Sequence, residues 1–185
     1  MGAKAEMNAI SASCLPDLES VISTAELSRR PSHPPNHTEE NRALIALARE
    51  MATSPDSMLQ KLAETALVLC RAHSAGISLL EEGQKSFRWK AIAGQWAAHL
   101  GGGTPRAFGP CGTVLDRDVA ILFSHPERHF SYLADVTPCI DEALLLPFYV
   151  NGQGVGTIWV IVHDQSVRFD SEDLRVMTTL ASFAS

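Results

Sequence analysis

Ala143–His163 decides the fold. It reads ALLLPFYV over Ala143–Val150, breaks at Asn151-Gly152-Gln153-Gly154, and resumes as VGTIWVIVH over Val155–His163. Side chains alternate across a strand, so each arm sorts into two faces. Leu144, Leu146 and Phe148 oppose Leu145 and Tyr149, and Trp159 and Ile161 oppose Ile158 and Val160. All of these are apolar or aromatic, so the hairpin belongs inside a sheet covered on both sides. Pro147 lacks a ladder donor and on its own points to an edge or bulged position. Directly after comes Arg168-Phe169-Asp170-Ser171-Glu172-Asp173-Leu174. Asp170 reads as an N-cap, followed by an apolar stripe of Leu174, Met177, Leu180 and Ala181. That pattern runs to Ser185 without a stop signal, which predicts a helix cut short or continuing into another domain.

Upstream, residues 1–37 read as a flexible N-terminal tail and linker, with one short helix near Leu18–Leu27. Ser28–His37 (SRRPSHPPNH) is too rich in proline and polar residues for a core element. Thr38 is placed as the cap of a helix buried through Leu44, Leu47, Ala48 and Met51. Ser54 as cap and Pro55 at the first helical position start the next helix, which keeps Leu59, Leu62, Ala63, Ala66, Leu69 and Cys70 on one stripe. Strands follow at Ala75–Leu80 and Phe87–Ala93. An irregular stretch, Gly94–Pro110, leads to a short helix over Pro110–Asp116, a strand over Ala120–Phe123 and a short helix over Ser124–Tyr132. Strands cluster with strands and helices with helices, which predicts an α+β fold around an antiparallel sheet rather than a doubly wound one.

The chain has 185 residues, enough for one domain with a substantial core plus a flanking segment. Its net charge of −6 argues against a general nucleic-acid binder, since no basic surplus exists to neutralise phosphates. No apolar run approaches the roughly 20 residues of a membrane span. The four cysteines, Cys14, Cys70, Cys111 and Cys139, have no paired spacing, as expected of reduced thiols in a cytoplasmic protein.

The sequence resembles the GAF family over about 38–185. The resemblance rests on Ser74-Ala75-Gly76-Ile77-Ser78-Leu79-Leu80 after the long helix and on Phe108-Gly109-Pro110-Cys111-Gly112 opening the middle helix. Leu146-Pro147-Phe148-Tyr149-Val150 and Gly154-Val155-Gly156-Thr157-Ile158 in the hairpin complete it. More narrowly, the chain is similar to GAF modules of bacterial two-component sensor histidine kinases. The resemblance implies a central antiparallel sheet with terminal helices on one face and short helices and loops over a ligand pocket on the other. It also implies homodimerisation through the terminal helices. Fold alone names no ligand or cofactor, so both stay unknown at this point.

The pocket is expected over the sheet face covered by Gly94–Tyr132. Its candidate ligand-binding residues are Trp89, Trp96, Phe108, Cys111, Phe123, His129, Tyr132 and Trp159, an apolar wall with a few polar groups. Each also reads simply as core. Cys111 lies just inside a helix start, where the dipole and free N–H groups favour a thiolate. No histidine follows Cys111 or Cys139, unlike the bilin-attachment cysteine of GAF photoreceptors. His125 and His129 are four apart, but no third ligand identifies a metal site. Gly101-Gly102-Gly103 lacks the Lys-Ser/Thr of a phosphate loop.

The expected function is a non-catalytic sensory domain that binds a small molecule or senses redox state. It would control an effector in cis, a histidine kinase, without binding nucleic acid or membrane. Two alternatives stand beside it. One is a structural dimerisation or interaction module. The other is a free methionine-(R)-sulfoxide reductase, in which Cys111 attacks the sulfoxide sulfur and Cys139 resolves the intermediate.

Overall fold

A computed structural model of the chain describes residues 16–54, 57–83 and 85–183. The hairpin is strands β5 (Glu142–Val150) and β6 (Gln153–Val162), joined at Asn151-Gly152. Both turn residues have positive φ, 53° and 76°, which asparagine and glycine tolerate best and which match the twist of a tight hairpin. The other strands are β1 (Ser74–Leu80), β2 (Ser86–Gly94), β3 (Gly103–Pro105) and β4 (Ile121–Ser124). They form one six-stranded antiparallel sheet in the order β3-β2-β1-β6-β5-β4. β1 and β6 are central, as two-faced burial of the hairpin requires. Pro147 pairs with Thr157 of β6, whereas β4 reaches only Leu145 on the other side. The proline therefore sits where its neighbour has run out, and the predicted irregularity follows one step later as a shift at Phe148/Tyr149.

Helices α2 (His37–Thr53), α3 (Met58–Leu69) and α5 (Ser171–Phe183) lie on one side of the sheet. Their apolar stripes, Leu47, Leu62, Ala63, Ala66, Met177 and Leu180, pack with Ile77, Ala91, Leu144, Leu146, Ile158 and Val160 in one core. On the opposite side a second core holds Phe87, Trp89, Ile92, Trp96, Cys111, Leu145, Trp159 and Ile161 under α4 (Pro110–Arg117) and the connecting segments. A register shift at Ile77/Ser78 leaves Lys90 unpaired between Trp89 and Ala91. Trp89 thereby keeps the second face while Ala91 and Ala93 turn to the helices.

Several expected boundaries move. Asn36, not Thr38, caps α2: its side-chain oxygen accepts from Glu39 N–H at 3.2 Å while its amide donates to the Glu39 carboxylate at 2.8 Å. The expected helix position of Pro55 lies outside the described residues, and α3 begins after Ser57. Asp170 caps α5 as predicted, accepting from Glu172 N–H at 2.8 Å. Ser124–Tyr132 is not one helix. His125 takes a left-handed φ of 48°, and two short 3-10 turns, Pro126–Arg128 and Ser131–Asp135, replace it.

Residues 16–36, read above as tail and linker, lie against the domain. Leu18–Val21 forms a 3-10 turn, Ile22 bridges to Phe123, and a one-turn helix α1 (Glu26–Arg29) follows. Ser23 N–H donates to Leu122 C=O at 2.8 Å, so the segment closes the outer edge of β4. Val21 joins the second core and Leu27 the first. Arg30 then reaches Glu142 with a two-pronged pair at 2.6 and 2.9 Å. The fixing contacts come from far along the chain, which local composition does not reveal.

Candidate ligand-binding site

The second sheet face is built around small residues on β1. Ser74 and Ser78 are fully buried there, with Gly76 between them. A methyl group built on Gly76 would lie 2.4 Å from the Trp159 ring, so the glycine makes room for the indole to cross β1. Trp159 Nε1 donates to Ser78 Oγ at 2.9 Å, and the backbone N–H of Trp96 donates to Ser74 Oγ at 3.0 Å. Trp89, Trp96 and Trp159 gather over this floor with ring centres 5.5, 6.0 and 6.4 Å apart, mostly in tilted or edge-on contact.

The three indoles border a cavity of about 30 Å³. Thr104, Pro110, Cys111, Pro126, Leu133, Ile140, Ala143, Leu145 and Ile161 complete its wall. It is a space of a few water-sized groups at most. No acidic or basic side chain lines it. Thr104 is 4% exposed, and its hydroxyl has no hydrogen-bond partner among the described residues. The Tyr132 hydroxyl is likewise buried without a partner. Burial, with the nearby Cys111 adding to it, pushes the Tyr132 phenol well above its usual range, so it stays protonated.

Of the eight sequence-predicted site residues, the structure brings Trp89, Trp96, Cys111 and Trp159 together on the cavity wall. Tyr132 stands behind it, with its hydroxyl directed at Gly109. Phe108 is 38% exposed and meets His129, Phe130 and Tyr132 in tilted or edge-on contact outside the cavity. Phe123 is fully buried beneath the N-terminal segment, away from the wall. His129 is held by Pro16 C=O at 2.6 Å. His125 instead faces Asp141 and Glu127, so the two histidines do not share a helical face. Leu145 and Ile161 share the Trp159 face in the alternation of the hairpin, a signal that marks them as wall residues. Thr104 carries no such signal, because β3 is three residues long.

Cys111 is buried in the wall, whereas Cys139 is exposed; both are free thiols, as is the buried Cys70. The Cys139 loop is tied down through its backbone. His163 Nδ1 meets Cys139 C=O at 2.8 Å and its Nε2 meets Ser74 Oγ at 2.8 Å. This Ser-His contact is a brace, not a nucleophile and base. Ser74 is sealed and already accepts from Trp96 N–H, and a carbonyl rather than a carboxylate orients the imidazole. Burial lowers the affinity of His163 for a proton.

Among the described residues, His33, Asp170 and Asp173 place three metal-ligand-type atoms within 4.8 Å of one another. The Arg71 guanidinium stands among them, with Nη2 2.9 Å from His33 Nδ1 and 3.7 Å from Asp173 Oδ2. Arg71 adds a positive charge beside His33 and Asp173, and His33 also meets Asp170 at 2.8 Å, so the cluster reads as an ion-pair network.

Fold and site together define an α+β domain with helices on one sheet face and a small aromatic cavity under loops on the other. The GAF-domain model matches residues 52–185, and the chain belongs to this family. No curated protein is significantly similar to it in sequence. Among solved structures, it resembles the GAF domain of an Acinetobacter phosphoenolpyruvate-protein phosphotransferase with a TM-score of 0.67 at 18% identity, over 82% of this chain and 92% of that one. It also resembles free methionine-R-sulfoxide reductase from Neisseria meningitidis in complex with its substrate (TM-score 0.62, 13% identity, 84% and 91% covered). A third likeness is the phycoerythrobilin-bound GAF domain of a cyanobacterial phytochrome (0.61, 11%, 80% and 93%). At these identities the likeness carries the fold alone. No helix among the described residues is long and apolar enough to cross a membrane.

Proposed function

We propose that the chain is a non-catalytic sensory domain in which a small molecule enters the tryptophan-lined cavity. Its arrival is passed through the sheet to α2, α3 and α5, which control a linked effector, a histidine kinase, in the cytoplasm. The observation that carries this reading is the cavity itself: an apolar wall of three indoles with a buried, unpartnered hydroxyl. Regulation requires the ligand to favour one arrangement of the helices over another. The same β-strands carry both cores, so displacement of Trp159 on one face is felt by Ile158 and Val160 on the other. Exposed Ile45, Met51 and Val68 on α2 and α3 supply apolar surface for pairing two copies through the helices.

A second reading is an interaction module without a ligand, favoured by the small volume of the cavity. Thermal unfolding across a panel of metabolites separates the two, with Ala143→Leu, which fills the cavity, as control. The sensory reading expects a compound that stabilises the native protein and leaves Ala143→Leu unchanged. A panel that never separates the two proteins contradicts it.

A further inference from the structure

Three consecutive backbone carbonyls, of Thr137, Pro138 and Cys139, are each held by a ring nitrogen. His99 Nε2 meets the first at 2.7 Å, Trp96 Nε1 donates to the second at 2.8 Å, and His163 Nδ1 meets the third at 2.8 Å. This loop leads directly into Ile140, which shares the cavity wall with Trp96. A carbonyl only accepts, so His163 carries its hydrogen on Nδ1 and, when neutral, leaves Nε2 as an acceptor. Ser74 Oγ lies 2.8 Å from Nε2 and already accepts from Trp96 N–H, so its own hydrogen goes to the imidazole. The donors therefore run one way, from Trp96 N–H to Ser74, from Ser74 to His163, and from His163 to the loop. A proton on Nε2 breaks this order. The ring then offers two donors, and the fully buried Ser74 hydroxyl has no other acceptor among the described residues. A buried donor without a partner is costly, whereas the half-buried ring is free to turn towards water. His99 differs: its Nε2 is already the donor to Thr137, so a proton on its other nitrogen leaves that bond intact.

We propose that His163 is an acid-released latch on the tryptophan cavity. Neutral, it ties Ser74 to the Cys139 carbonyl; protonated at Nε2, it lets go of both and loosens Trp96 and Ile140 in the wall. The titratable groups facing the ring are His73, stacked at 6.0 Å, and Asp164, while the Trp96 ring covers it at 5.8 Å. Asp141 and Glu142, at the start of the neighbouring β5, are engaged with Arg168 and Arg30. Burial, helped by His73, outweighs the Cys139 carbonyl and Asp164, so His163 takes up its proton below the ordinary histidine value of 6.5. The unfolded chain takes that proton more readily, so stability from the latch is present above 6.5 and is lost as pH falls below it. The functional meaning rests on the sensory reading, to which it adds regulation of the same cavity by pH, but the latch itself is tested without a ligand.

All three tryptophans of the chain line the cavity, so their exposure reports on its wall. The assay is acrylamide quenching of tryptophan emission in the whole chain, from about pH 8 to about pH 5 at constant ionic strength, with far-ultraviolet circular dichroism alongside. Quenching is expected to rise in a one-proton step with its midpoint below 6.5 while the dichroism holds. His163→Gln has no imidazole and is expected to lose the step, whereas His99→Gln is expected to keep it. Ser74→Ala removes the hydroxyl that favours the neutral ring, so its step is expected to move up by roughly half to one pH unit. This variant exchanges one small side chain for another and carries the test if His163→Gln does not fold. A flat native profile, a step that His163→Gln retains or His99→Gln loses, or an unmoved step in Ser74→Ala overturns the latch. A step that coincides with loss of the dichroism signal is acid unfolding and overturns it as well. None of these results bears on the ligand reading, because the assay contains no ligand.

Discussion

Arg30→Ala tests whether residues 16–36 are part of the domain. Arg30 gives Glu142 two hydrogen bonds, at 2.6 and 2.9 Å, and a third to Phe169 C=O at 2.8 Å. The Glu142 side chain is only 1% exposed. Removing one partner of a buried ion pair costs about 3–5 kcal/mol, mostly as the charge left behind. Arg168 still reaches Glu142 at 2.6 Å, so the lower end, about 3 kcal/mol, is expected here. For a domain of this size that lowers Tm by roughly 6–12 °C. Arg30→Met keeps the alkyl stem and separates packing from charge. The effect also depends on pH. Burial alone would raise the Glu142 carboxyl, but bonds from Arg30 and Arg168 outweigh it and hold the pKa below its ordinary value. A depressed carboxyl contributes stability above its unfolded pKa and loses it as pH falls through the folded one. Arg30→Ala should therefore unfold with a smaller acid-side loss than the native protein. Thermal melts by circular dichroism at several pH values provide the assay. A Tm change under about 2 °C, or an equal loss when Glu142→Gln is already present, refutes the reasoning.

Three further outcomes follow from single sites. Gly76→Ala places a methyl group 2.4 Å from the Trp159 ring and 2.5 Å from Ala91 C=O, which cannot both yield; a loss of about 2–3 kcal/mol is expected in chemical denaturation. Burial pushes the Asp173 carboxyl up to about 6, so the folded state holds its proton while the unfolded chain has lost it. Stability from this group therefore falls as pH rises from the unfolded value through about 6. Asp173→Asn should gain roughly 2–3 kcal/mol relative to the native protein across that interval, as read from paired melts. In a Cys14→Ser background, a thiol reagent should label Cys139 rapidly in the folded protein, with Cys70 and Cys111 reacting only on unfolding. Rapid labelling of Cys111 would show that its wall opens readily.

Periodicity makes the hairpin and the two long helices legible, because each repeats its signal over several turns or strand pairs, and residue type ahead of an apolar stripe makes the Asp170 cap legible. It also sorts Trp159 and Ile161 onto one face. Three-residue β3 has no period to read, and Gly103-Thr104-Pro105 looks like loop, which hid Thr104. The segment around Arg30 is fixed by a partner 112 positions away, invisible to local composition. Proximity in sequence groups Phe108 and His129 with the pocket. The left-handed turn at His125 and the 3-10 turn after it carry His129 to the outside instead, where the half-exposed Phe108 ring meets it.

The central claim is that the tryptophan cavity holds a ligand, and the most direct test is the native mass of the freshly purified protein set against its denatured mass. The account predicts a stoichiometric adduct that is lost on denaturation and absent from Ala143→Leu. An unliganded mass for the native protein, or an adduct that Ala143→Leu retains in full, would contradict it.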